Sequence, residues 1–120
     1  MKVKNIEFPT PLSQIPDIKD DNVDVFVELD DGFTYTLVVS TPKNLETLME
    51  RENTKYLPAT SPMIIVKEIT EDNIMKALDT YLENNAYWLK LYFLAGEFEL
   101  DILENMLNKI KADNEKIYKK

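Results

Sequence analysis

The sequence predicts an α+β fold: a small antiparallel sheet, built from a β-hairpin and one or two further strands, packed against about four helices, with an all-helical C-terminal half. Three observations carry that expectation. Apolar and polar side chains alternate with a period of two on both sides of Asp30-Asp31-Gly32. From Thr70 onward, apolar residues recur instead at spacings of three and four, the period of an amphipathic helix. The chain has only two glycines, and Gly32 and Gly96 fall where a hairpin loop and a helix end need them. At 120 residues the chain fits one domain, 1–120, divided into an arm (1–22), a hairpin–helix–strand portion (23–69) and a helical portion (70–120).

Residues 1–22 hold Pro9, Pro11 and Pro16 and then Asp17, Asp20 and Asp21. Proline fixes φ and removes backbone donors, so this segment reads as an extended arm, with Met1 to Phe8 able to supply an edge strand. In the hairpin two registers compete. A two-residue Asp31-Gly32 turn would pair Leu29 with Thr34 and mix polar with apolar side chains on one face. A three-residue loop pairs Leu29 with Phe33, Val27 with Tyr35, Val25 with Leu37 and Val23 with Val39, and places Gly32 at the left-handed position. The second register is the expected one.

Thr41-Pro42 opens a helix, with threonine capping free amides and proline suited to the first turn, and the helix ends near Glu52. Leu45, Leu48 and Met49 form its inward stripe. A loop over 53–62 follows, containing Tyr56, Leu57, Pro58 and Pro62. Met63 to Val66 is a continuous apolar run that suits a strand covered on both faces. Thr70 caps the next helix, with Glu71 and Asp72 in its positive first turn and Ile74, Ala77, Leu78, Tyr81 and Leu82 facing inward. Asn84-Asn85 breaks it. A third helix runs from Ala86 to Ala95 and ends at Gly96; it is apolar nearly all round and is expected to be buried on most sides. The last helix starts near Glu99 or Asp101 and is expected to bury Leu103, Met106, Leu107 and Ile110.

What the chain lacks bounds its function. There is no histidine and no cysteine, so neither an imidazole nor a thiolate serves as acid, base, nucleophile or soft metal ligand. Phosphate-binding loops need clustered glycines, and Gly32 and Gly96 are far apart. Carboxylates are the abundant reactive groups, densest from Asp17 to Asp31. That run fails as a calcium loop, because Val38 stands where the glutamate after Gly32 would be required. No glutamate is followed two positions later by lysine, the strand-borne pattern of magnesium nucleases. No catalytic residue, metal ligand or cofactor is therefore nominated.

The formal net charge is −8. The first 104 residues carry 20 acids and nine bases, whereas 105–120 carry five lysines against Asp113 and Glu115. An acidic body repels nucleic acid and anionic lipid and attracts basic surfaces. No run approaches the ~20 apolar residues that span a bilayer, and Met1-Lys2-Val3-Lys4 lacks a signal peptide's apolar core, so no membrane contact and a cytoplasmic location are expected.

The best functional expectation is a small acidic, non-catalytic interaction protein, of the inhibitor or immunity type, that binds a basic protein partner. Candidate contact residues are Trp88, Leu91 and Tyr92 on the apolar helix, Phe26 with Asp24 and Glu28 on the polar strand face, and Asp30 and Asp31 at the hairpin tip. Tryptophan and tyrosine are favoured interface anchors. The alternatives are a carboxylate-dependent divalent-metal enzyme and a self-associating homodimer subunit without activity of its own.

Overall fold

The hairpin closes in the three-residue register. In the computed structural model, which describes residues 1–58 and 63–118, Val23 faces Val39, Val25 faces Leu37 and Val27 faces Tyr35. Gly32 sits at φ 86°, its amide donating to the Leu29 carbonyl, while the Leu29 amide donates to Phe33. A Cβ on Gly32 would meet nothing within 4 Å. The residue is glycine for its backbone conformation, not for space.

The two hairpin strands are β2 (Asn22–Leu29) and β3 (Thr34–Ser40), the centre of a four-stranded sheet. β1 (Val3–Glu7) adds antiparallel to β2, with a bulge between Val3 and Asn5. The arm thus does supply an edge strand. β4 (Met63–Ile65) adds parallel to β3, joined through α1 (Pro42–Glu52) as the crossover. The sheet is mostly antiparallel and ordered β1-β2-β3-β4. β4 is not covered on both faces as its apolar run suggests: Ile64 is buried, but Ile65, on the open edge strand, is exposed. Residues 59–62 of the expected loop lie outside the described residues; before them Tyr56 is exposed and Leu57 half-buried.

Alternation gives the sheet one apolar face. Val23, Val25, Val27, Leu29, Tyr35, Leu37, Val39 and Ile64 are all buried there, together with Ile74 and Leu78 of α2 (Glu71–Tyr81) and Ala86 and Leu89 of α3 (Glu83–Glu97). Both expected caps form, Thr41 Oγ1 accepting from the Asn44 amide and Thr70 Oγ1 from the Asn73 amide, each at 3.2 Å. The Tyr81 hydroxyl donates to the Met63 carbonyl at 3.0 Å, tying α2 to β4.

The remainder of the arm is anchored, not loose. Ile15 joins the core, and the Ile69 amide donates to the Ile18 carbonyl. Asn44, buried in the first turn of α1, donates to Asp20 (3.2 Å) and accepts from the Asn22 side chain (2.8 Å), while Thr47 donates to the other Asp20 oxygen (3.1 Å). Arm, strand and helix meet at this one amide.

Asn84, Asn85 and Ala86 take φ values of 53°, 58° and 59°, a full turn of left-handed backbone between α2 and the right-handed part of α3. Asparagine visits this region readily, whereas Ala86 is strained by roughly 1–2 kcal/mol. Its complete burial holds it there. The helix then runs through Gly96 to Glu97, so Gly96 is not the helix end expected of it; Phe98, in extended backbone, terminates α3.

α4 (Leu100–Tyr118) differs most from expectation. Met106, Leu107 and Ile110 are exposed, not buried, and Leu103 is only half-buried. The helix packs extensively on no other described element. The radius of gyration is 17.9 Å, against about 14 Å for a compact domain of this length. The sheet offers one apolar face, and α2 and α3 already cover it.

Asn44→Ala would leave the Asp20 carboxylate and the Asn22 amide without their shared partner. We expect a loss of about 1–3 kcal/mol, measured by urea denaturation, with an unchanged m-value because the arm's apolar anchors remain.

Candidate protein interface

α3 carries two stripes about 100° apart, and the core takes only one. Ala86 and Leu89 are buried and Phe93 is half-buried, so the sheet-facing stripe is as expected. The other is open: Trp88 is 56% exposed, with Tyr87, Leu91, Tyr92 and Leu94 also exposed. The expectation that this helix is buried on most sides therefore fails. Trp88 packs edge-on against Tyr87 (5.5 Å between rings) and lies 6.4 Å from Tyr92, one turn on. The three rings form an aromatic strip held by their own helix, with no covering element among those described.

The hairpin tip meets α3 along its sheet-facing edge. Phe33 and Tyr35 pack on Phe93 at 5.6 and 5.7 Å. Asp31 accepts from the Phe33 amide (2.9 Å) and from the Tyr35 hydroxyl (2.7 Å). Lys90, one turn before Leu94, adds its charge. Burial alone would raise the Asp31 carboxyl, but these donors and Lys90 outweigh it and hold the group below the usual carboxylate range. The Tyr35 phenol is pushed up to about 12, by burial first and then by its bond to Asp31.

Three depressions of about 250, 270 and 290 Å³ surround Lys90 and Phe93. Each is smaller than the roughly 300 Å³ at which small-molecule sites begin.

The eight residues singled out from the sequence fall in three places. Trp88, Leu91 and Tyr92 share the open stripe of α3. Asp30 and Asp31 sit at the tip, where Asp30 accepts from the Lys2 amide (3.2 Å) and Asp31 is committed to Phe33 and Tyr35. Asp24, Phe26 and Glu28 stand on the opposite face of the sheet. There Phe26 is half-buried, and Glu28 pairs loosely with Lys4 at 3.9 Å. The tip meets α3 at Lys90, Phe93 and Leu94, and the outer-face trio stands apart from both. Tyr87, Lys90 and Leu94 also belong to the α3 face, and the i, i+4 spacing of Lys90 and Leu94 was the available signal. Among the described residues, no three or more carboxylates gather where they could hold a metal ion.

The tip has a pH signature. A raised phenol stabilises the fold below the unfolded value near 10, and that contribution is lost as the pH rises towards about 12. The depressed Asp31 carboxyl stabilises the fold above the ordinary carboxylate value, and this is lost as the pH falls through its folded value. Phenolate absorbance should show two of the six tyrosines ionising late, Tyr35 and, through burial, Tyr81, and Asp31→Asn should bring the Tyr35 phenol earlier without normalising it, since burial persists. Comparison finds no match to this chain among family models, curated proteins or solved structures.

Proposed function

We propose that this protein is a non-catalytic protein–protein interaction module of the inhibitor or immunity type, with the open stripe of α3 as its contact face and a basic protein as its partner. The observation that carries the reading is Trp88: a tryptophan more than half exposed, flanked by two tyrosines and by Leu91 and Leu94. Aromatic anchors of this kind supply most of the binding energy at protein interfaces, and a contiguous apolar patch marks such a site. The net charge of −8 supports a basic partner by steering its approach. Asp30 adds exposed charge at the hairpin tip, while Asp31 and Tyr35 hold that tip against Phe93.

Trp88→Ala separates a contact residue from a core residue. At an exposed site we expect a stability change below about 1 kcal/mol, measured by thermal melting, with loss of partners captured from cells producing the protein. Binding should also weaken steeply between ~50 and ~500 mM salt, as screening removes the attraction. Unfolding of Trp88→Ala, or capture indifferent to it, would sink the reading.

A further inference from the structure

α4 is a 19-residue helix, about 28 Å long, most of whose apolar side chains are exposed among the described residues. Leu100, Leu107, Ile110 and Ile117 are 70, 63, 54 and 62% exposed. Helices in proteins draw most of their stability from packing an amphipathic face, because nucleation is costly and propagation alone gains little. Monomer burial does not hold this one.

The spacing of the stripe says what would. Leu100, Leu103, Leu107, Ile110, Asn114 and Ile117 alternate steps of three and four, the a and d positions of a heptad. Ile102 and Met106 widen the exposed apolar surface beside this seam, and the three–four repeat itself is the spacing of a paired helix. The charges are also polarised. Glu97, Glu99, Asp101 and Glu104 crowd the start with no base among them, and Lys109, Lys111, Lys116, Lys119 and Lys120 outweigh Asp113 and Glu115 towards the end.

We infer that α4 pairs with α4 of a second copy of this chain as a short antiparallel coiled coil. Antiparallel alignment places Leu107 of one copy opposite Ile110 of the other, Leu100 opposite Ile117 and Leu103 opposite Asn114. The acidic start of each helix then lies along the basic end of its partner, and Glu104 flanks Lys111 in both directions. Parallel alignment would pair the Asn114 amides but gather both acidic ends together, with Glu99 against Glu104. Charge pairing chooses orientation because it penalises the wrong arrangement as well as favouring the right one. The seam lies on α4 and does not depend on the α3 contact face.

Sedimentation over a wide concentration range tests the pairing, and cross-linking tests its direction. The mass should rise from 14.0 kDa towards twice that value. Leu107→Glu should raise the dissociation constant by roughly thirtyfold or more while leaving near-ultraviolet circular dichroism of the body intact; Trp88→Ala should leave dimerisation unchanged. Glu104→Lys and Lys111→Glu should each weaken the dimer, and the double exchange should restore it. The chain has no cysteine, so a mixture of Leu100→Cys and Ile117→Cys proteins should cross-link only as mixed pairs. A monomer at every concentration, or a dimer indifferent to Leu107→Glu, overturns the seam. Like-with-like cross-links overturn the antiparallel direction.

Discussion

The register of the β2–β3 hairpin is the constraint on which the rest of the molecule depends. Side chains alternate across a strand, so a slip of one residue would turn the apolar set of one strand to the solvent face. Seven side chains ride on it: Val23, Val25, Val27, Leu29, Tyr35, Leu37 and Val39. Full burial of each large apolar side chain contributes about 1.5–3 kcal/mol, more in sum than the whole net stability of a small domain. Gly32 and the Asp31–Tyr35 hydrogen bond hold that register at the loop. The same loop sets Phe33 against Phe93, so the turn that orders the sheet also fixes where α3 crosses it.

That geometry explains why the apolar content is divided. One face of a four-stranded sheet accommodates two helices, and α2 and α3 fill it. The half-buried Leu45, Leu48 and Met49 of α1 stand apart from that main cluster. Nothing of the sheet's apolar face is left for α4, and among the described residues no layer lies above the outer stripe of α3. Large apolar residues therefore reach the surface through a shortage of sheet area, not through local misfolding.

The strands and caps were legible because each is decided by neighbours in sequence. Period-two alternation, Thr41-Pro42 and Thr70 with Glu71 and Asp72 all act within a few residues, and the structure follows them. The errors share a different cause. Periodicity marks which face of a helix is apolar but not whether another element is free to cover it, so the pattern alone puts Met106, Leu107 and Ile110 in a core that α2 and α3 already occupy. Gly96 was assigned a capping role because glycine ends helices often; here helical backbone continues through it. The Asp20–Asn22–Asn44–Thr47 network joins residues more than twenty positions apart and leaves no local trace. For the candidate face, the apolar stripe of α3 is visible in the sequence, but its exposure comes only with the fold.

The bulge in β1 has a bearing on how such a chain stays manageable at high concentration. A sheet with two free edges invites strand addition from neighbouring molecules, which leads to open-ended aggregates. Here one edge is interrupted between Val3 and Asn5 and carries the exposed Lys2, Lys4 and Glu7, while the other is a strand of only three residues. Neither offers a long, regular row of backbone groups. Both features oppose backbone-driven polymerisation.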